Sequence, residues 1–336
     1  MPNAYDPGMP MDPNAMPLPD LFDHLCATGL VERLLTIARD EDLGPSGVDL
    51  TAKAVDHPEE PEAELFEARV VAREPCRLAG VAAVPLLLDV FRAELAVDVL
   101  AQDGTACRAG DGVLAVRGPR ESCVRVERTL LNLLGRLSGV ATQTAGYVQE
   151  AGGRCHVLDT RKTTPGLRVL EKYAVRCGGG RMHRLGLHDA VLIKDNHLAG
   201  VAVDALPGLL AEIRERAVGA DFVEVEVDTI EQFAAVLRAP SGTVDIVLLD
   251  NMPLGDIALA VNMRRQAGSA LLLEASGGIN LETVGAIARS GVDRVSIGAL
   301  THSAVSVDFG LDVSQPANNG LSEQGGNGTS EAAGDP

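Results

Sequence analysis

Six short apolar runs between about residues 156 and 297 of this 336-residue chain each end in residues that can do chemistry. The run HVLD leads into Thr160-Arg161-Lys162, and AVLI into Lys194-Asp195-Asn196-His197. The third, FVEVEVD, carries Glu224, Glu226 and Asp228 at every second position, which places them on one side of a strand. The fourth stops at Asp250-Asn251, the fifth at Ser276-Gly277-Gly278 and the sixth at Gly298-Ala299. Arg offers a flat bidentate fork for carboxylates and Lys a compact charge for phosphates. Glycine loops offer backbone N–H groups, and carboxylates offer ligands to a hard cation or to sugar hydroxyls. The chemistry these types share is the handling of a polyanion.

Charge is distributed accordingly. Between Arg154 and His197 there are nine Arg or Lys against four acids, a segment of +5 in a chain of −18. Three of the four lysines and four of the seven histidines lie there. Taken alone such a segment reads as a solvated basic helix face. Facing carboxylates and two late glycine loops, it reads as a concentrated anion site.

These residues need elements to hold them. The runs ending near 158, 193, 227, 249, 274 and 297 alternate with amphipathic segments such as Thr229–Ala239 and Asn280–Gly291, the second opening on an Asn cap. Repeated strand–helix units imply a parallel α/β barrel or a doubly wound sheet. Functional residues at every strand end favour the barrel, whose site is built from the loops of many strands, with phosphate held by the late ones. Upstream, FEARVVA, ELAVDVLA, GVLAVRG and SCVRVER read as a mainly antiparallel layer, punctuated by Asp103-Gly104 and Asp111-Gly112. Val126–Val148 reads as a long helix with Leu130, Leu131, Leu133, Leu134 and Leu137 on a broad apolar face. Leu21–Asp40 has helical spacing and opens the folded part. The expected organisation is a disordered leader (1–19), an N-terminal domain (20–135), a barrel (136–300), a segment packing back on the N-terminal domain (301–312) and a disordered acidic tail (313–336).

Composition excludes other classes. No apolar run approaches a membrane span; Val81–Phe91 is broken by Asp89. The first Lys or Arg is Arg33, so a secretory signal is not expected. Six scattered Cys without CxxC spacing fit reduced thiols in the cytoplasm. The net negative charge and 3% aromatic content argue against nucleic acid or an anionic membrane as partner.

The block DTRKTTPGLRVLEKYAVRCGGGRMHRLGLHDAVLIKDNH closely resembles the quinolinate phosphoribosyltransferase family. Similarity continues through EDLGPSGVDLTA, ERTLLNLLGRLSGVAT, VEVEVD, LLDNM, EASGGI and GVDRVSIGALTHS, covering about residues 21–312. The resemblance implies an N-terminal open α/β sandwich followed by an incomplete, about seven-stranded, parallel α/β barrel. It implies a reaction: quinolinate and 5-phosphoribosyl-1-pyrophosphate, with Mg²⁺, give nicotinate mononucleotide, pyrophosphate and CO₂ on the way to NAD. Arg128, Arg161, His183 and Arg184 would then hold quinolinate, Lys162 and Lys194 would serve both substrates, and Thr160 would be among the substrate-binding residues. Glu226 and Asp250 would take the ribose hydroxyls or Mg²⁺, directly or through water. Ser276, Gly277, Gly278 and Gly298 would cradle the 5-phosphate. The catalytic group would comprise Lys162, Lys194, Glu226 and Asp250. A homodimer, with Arg128 donated to the neighbouring site, is implied; a further hexamer stays open.

Three alternatives are set against this reading. A barrel aldolase could use Lys194 as a Schiff-base amine, but the Arg density exceeds what one carbonyl substrate needs. A molybdate-gene-associated homologue would share the fold but not the full quinolinate-contacting set. An RNA-binding role lacks stacking residues.

Overall fold

The computed structural model of the chain describes residues 12–55 and 66–313. It opens with α1 (Leu18–Cys26), α2 (Leu30–Leu43) and α3 (Leu50–Val55). The single helical stretch expected over Leu21–Asp40 is two helices, because Gly29 between them takes a left-handed conformation (φ 70°). The leader expected over 1–19 also ends early. Met16 is buried, Asn14 is bonded to Met182, and Pro17 precedes the first turn of α1. Residues 1–11 of that leader, and the tail beyond Val313, lie outside the described residues.

Next come β1 (Phe66–Ala72), β2 (Cys76–Arg77), α4 (Val84–Phe91), β3 (Ala96–Val99), β4 (Ala106–Cys107) and β5 (Gly112–Gly118). The fourth expected strand, SCVRVER, is instead the start of helix α5 (Arg120–Ala151). Its short alternation mimics a strand, but Cys123, Val126, Leu130, Leu134 and Leu137 are all buried, and their spacing of three and four continues one stripe. Pro119 marks where that helix begins, and the boundary expected at 135/136 falls inside it. Then follow β6 (His156–Leu158), α6 (Arg168–Cys177), β7 (Val191–Ile193), α7 (Asp195–Leu198), α8 (Leu206–Arg216), β8 (Val223–Val227) and α9 (Ile230–Leu237). The chain continues through β9 (Ile246–Asp250), α10 (Leu254–Gln266), β10 (Leu272–Ser276), α11 (Leu281–Ser290), β11 (Arg294–Ser296), α12 (Ala299–His302) and β12 (Phe309–Val313).

Two larger sheets organise these elements, beside a two-stranded antiparallel pairing of β2 with β4. The first is antiparallel, ordered β12-β1-β5-β3. Ala68 and Val70 face Val116 and Leu114 in register and are buried with Cys123 and Val126 of α5, while Glu67, Arg69 and Arg117 alternate outward. The segment after the barrel therefore returns to the N-terminal sheet as its edge strand. The second sheet is parallel, ordered β6-β11-β10-β9-β8-β7, with helices packed around it as in an α/β barrel. Where the resemblance implies about seven strands, the described residues form six and a single bridge, Arg181 to Leu158. The barrel stays open between that bridging segment and β7. No helix among the described residues is long and apolar enough to cross a membrane.

Helix α5 joins the two units. At about 1.5 Å per residue its 32 residues span roughly 48 Å. The chain leaving α12 crosses it at two glycines: a Cβ on Gly139 would lie 2.0 Å from the Val305 carbonyl oxygen, and one on Gly135 2.6 Å from that of Val307. Gly139→Ala should destabilise the protein by about 1–3 kcal/mol through overpacking. Gly146→Ala in the same helix, whose Cβ would meet Leu281 at an ordinary 3.7 Å, should be neutral or stabilising by about 0.5–1 kcal/mol. Urea midpoints of the two variants distinguish a true close approach from general glycine intolerance.

Candidate active site at the carboxyl ends of the barrel strands

Parallel register sets which side chains share a level. Glu226, Leu248, Glu274, Arg294 and His156 are aligned from β8 to β6; two residues further along, Asp250, Ser276, Ser296 and Leu158 are aligned. Glu224 on β8 and Glu274 on β10, two strands apart, both reach His183, so this set projects into the barrel. The alternate residues, including Val223, Val225, Val247, Leu249, Leu273 and Val295, are fully buried in the apolar layer.

The floor is charged. His183 Nε2 lies 3.0 Å from Glu224 and 3.4 Å from Glu274, and Arg294 Nε donates to the other Glu274 oxygen. Both acids are wholly buried. Burial alone would raise Glu274, but His183 and Arg294 outweigh it and pull its pKa down to about 2. Glu224 is raised, by burial and by Glu274. For His183, burial disfavours an imidazolium, Glu274 and Glu224 favour it, and the net shift is upward. Its Nδ1 accepts the Arg184 N–H (2.8 Å), which opposes a second proton there. Both ring nitrogens are thus engaged within the chain.

The mouth is open and more polar. Lys194 is half-exposed, its Nζ 3.0 Å from Glu226 Oε2. Glu226, Asp228 and Asp250 each bring a carboxylate oxygen within 4.8 Å of the others. Asp228 is raised by burial and by repulsion from Asp250 and Asp195. Asn251 takes a left-handed conformation (φ 51°), donates from Nδ2 to Asp250 and lies over Gly277, where a Cβ would come within 2.2 Å of its Oδ1. Across the mouth, Thr160 Oγ1 accepts the Lys162 N–H, and Thr301 Oγ1 donates to the Lys162 carbonyl. A Cβ on Gly298 would lie 2.7 Å from Lys162 Cδ and 3.2 Å from His302 Nε2, so the last glycine loop and the lysine are in contact. Ser276 Oγ donates to the Ser296 carbonyl at 3.4 Å. Arg184 is buried, its guanidinium depressed by burial and by nearby Arg161, with Nη1 donating to the Ala190 carbonyl.

The basic block divides by role. Arg161 and Lys162 are exposed at the mouth without an acidic partner among the described residues. Lys172 is wholly buried and paired with Asp159. Arg168 bonds Thr163 and Leu185, and Arg176 bonds Met16 and Gly180, both holding loops. Arg154 borders a cavity of about 1330 Å³ at the opposite, amino-terminal end of the strands, with His156, Arg181, Asp221 and Arg294. His183 and Arg184 lie between that cavity and the mouth. Arg128 is exposed on α5 and pairs with no acid among the described residues. The structure thus gathers Thr160, Arg161, Lys162, Lys194, Glu226, Asp250, Ser276, Gly277, Gly278 and Gly298 at one rim, puts His183 and Arg184 beneath it and leaves Arg128 apart.

The carboxylate group suits a hard divalent cation. Its donors are all oxygen, and the like-charge crowding that raises Asp228 is what such an ion relieves. Sequence reasoning placed Asp228 on this face but gave it no role, and missed Glu274, Arg294 and His302. A charge inside the apolar run LLLEA was the available signal for Glu274; the other two had none.

Comparisons with known proteins agree with this geometry. Residues 49–138 match the quinolinate phosphoribosyl transferase N-terminal domain and residues 140–312 its C-terminal domain. A nicotinate-nucleotide pyrophosphorylase (carboxylating) of Mycobacterium leprae is 42% identical over 272 residues, 80% of this chain and 92% of that protein. The chloroplastic enzyme of that name from Arabidopsis thaliana is 37% identical over 294 residues, 84% of this chain and 82% of that one. Among solved structures, the nicotinate-nucleotide pyrophosphorylase from Francisella tularensis superposes with a TM-score of 0.75 at 32% identity, covering 90% of this chain and 99% of that one. With both domains matched and the strand ends carrying the expected chemistry, the chain belongs to the quinolinate phosphoribosyltransferase family.

Proposed function

We propose that this protein is a carboxylating nicotinate-nucleotide pyrophosphorylase. It joins quinolinate to 5-phosphoribosyl-1-pyrophosphate and releases pyrophosphate and CO₂, leaving nicotinate mononucleotide for NAD synthesis. One observation carries the reading: a rim with Arg161 and Lys162, unpaired among the described residues, on one side, a carboxylate trio on the other and glycine loops between them. Arg161 and Arg184 hold the quinolinate carboxylates, with His183 supporting Arg184 from behind. Lys162 and Lys194 face the phosphates. The Ser276-Gly277-Gly278 loop and Gly298 receive the 5-phosphate through backbone N–H groups. Glu226, Asp228 and Asp250 hold the ribose hydroxyls or Mg²⁺, and the ion when bound shields the pyrophosphate charge. The ring nitrogen's lone pair forms the bond to C1 as the C1–O bond to pyrophosphate breaks. The carboxylates stabilise positive charge developing at C1, and the lysines stabilise the leaving group. The C2–carboxylate bond then breaks; its electron pair stays at C2, where the pyridinium stabilises it until a proton is taken up. No covalent intermediate with the protein is required. Six cysteines free of disulfides fit a cytoplasmic setting.

The direct test supplies purified protein with both substrates and follows nicotinate mononucleotide and CO₂. Quinolinate should react and nicotinate, with one carboxylate fewer for the same cations, should react poorly; chelating Mg²⁺ should abolish most turnover. Equal rates with nicotinate would overturn the assignment.

Charge at the rim can be probed singly. Arg161→Met or Lys162→Met removes a charge-assisted hydrogen bond, about 1.5–3 kcal/mol, and should lower kcat/KM at least tenfold. Arg154→Met, facing the opposite end, should be nearly silent.

Arg128, apart from its own barrel mouth, fits a homodimer in which it reaches the partner's site. Arg128→Ala should be inactive alone and Lys162→Met nearly so. Reassembling an equimolar mixture should restore about a quarter of wild-type activity, because half the randomly paired dimers are mixed and each has one intact site. No recovery after proven subunit exchange would place Arg128 outside any shared site.

A further inference from the structure

We propose that Asn14 is a positioning residue for the quinolinate pocket, standing in for the strand that the open barrel lacks next to His183 and Arg184. The inference rests on the function proposed above.

Segment 180–184 is attached to β6 by only two backbone bonds, Arg181 N–H to the Val157 carbonyl (2.8 Å) and Asp159 N–H to the Arg181 carbonyl (3.2 Å). In extended chain the next residue's N–H and C=O point the opposite way. Those of Met182 therefore point away from β6, into the gap before β7. Asn14 meets both: its Oδ1 accepts the Met182 N–H at 2.7 Å and its Nδ2 donates to the Met182 carbonyl at 3.0 Å. Only an amide side chain offers one planar acceptor and donor in the way a neighbouring peptide group does. His183 then turns back, donating its N–H to Asp159 (3.0 Å) and accepting Lys172 Nζ on its carbonyl (3.2 Å). Every backbone polar group from Arg181 to His183 is satisfied, and Arg184 leaves this clamp in a fixed direction.

Asn14 is itself held. Its N–H donates to Asp12 Oδ1 (2.8 Å), the Met16 carbonyl accepts Arg176 Nη2 (3.1 Å), and the Met16 side chain is buried. Asn14 lies outside both matched domain segments, 49–138 and 140–312, while Met182 lies inside the second. Without it, two peptide groups of a buried residue lose their partners immediately before the residues that hold quinolinate. The carboxylate trio and Lys194, across the gap, are not attached to it.

The test uses the full chain with Asn14→Ala and Asn14→Asp. It measures KM for each substrate, kcat, and hydrogen–deuterium exchange of the peptide covering 181–185. Asn14→Ala should raise KM for quinolinate on the order of tenfold, as expected for two lost hydrogen bonds, with KM for the phosphoribosyl donor changed less than about twofold. Exchange at 181–185 should accelerate. Asn14→Asp should not rescue, because its second oxygen faces the Met182 carbonyl instead of donating to it. Equal rises in both KM values, or a lower melting temperature with unchanged KM, would reduce Asn14 to a general structural contact and overturn the proposal. Unchanged exchange at 181–185 would overturn it too. If the wild-type protein does not turn over quinolinate, the functional reading fails by itself, and the exchange measurement still decides whether Asn14 holds the segment.

Discussion

An open barrel leaves a row of backbone N–H and C=O groups without a neighbouring strand, and buried peptide groups cannot stay unpaired. In this protein that row coincides with His183 and Arg184. The fold meets the constraint with side chains: Asp159 and Lys172 take the His183 backbone, Asn14 takes that of Met182, and Arg184 reaches across to the Ala190 carbonyl. A β-ladder would satisfy the same groups but would close the space into which the guanidinium projects. Polar side chains satisfy the edge while leaving the opening.

The charges fall into two populations. Asp159–Lys172, Arg136–Glu171 and the His183–Glu224–Glu274–Arg294 floor are buried or nearly so, and their charges face one another inside the fold. Arg136 also donates to the Thr301 and Ala304 carbonyls, tying α5 to the chain beyond the barrel. Removing one partner from such a group strands a desolvated charge at a cost of about 3–5 kcal/mol. The second population, Arg161, Lys162 and Lys194 against Glu226, Asp228 and Asp250, lines the open mouth, ranges from exposed to buried (Glu226) and is incompletely matched among the described residues. Solvent screens it in the free protein, and an entering polyanion displaces that solvent. The +5 block is thus part scaffold and part site, a division that counting charges does not make.

That division also marks how far sequence carries. The strand ends are legible because short, nearly continuous apolar runs that stop at polar clusters are characteristic of barrel strands, and the DTRK to KDNH block points to the family outright. SCVRVER reads wrongly as a strand because its seven-residue alternation overlaps only part of the apolar stripe of a 32-residue helix. The missing seventh strand has no apolar run to announce it. Its backbone is satisfied instead by Asp159, Lys172 and Asn14, which lie 11 to 168 residues away in sequence. Asn14 sits in a Pro- and Met-rich stretch with no periodicity, and composition there outweighs a single amide. Glu224 and Glu274 are visible as acids in apolar strands, but only the curvature of the sheet brings them to one imidazole.

The return of β12 to β1 has a consequence for synthesis. Arg73, just past β1, pairs with Asp312, 239 residues later. At translation rates of about 5–20 residues per second, roughly 10–50 s separate the emergence of the two strands. Throughout that interval the outer edge of β1 has no strand beside it, and the whole barrel must leave the ribosome before the N-terminal sheet can be completed. Such an edge is a template for pairing with another chain. The growing polypeptide therefore needs its exposed Glu67 and Arg69, or a chaperone, to keep neighbouring nascent chains off that strand until its own last segment arrives.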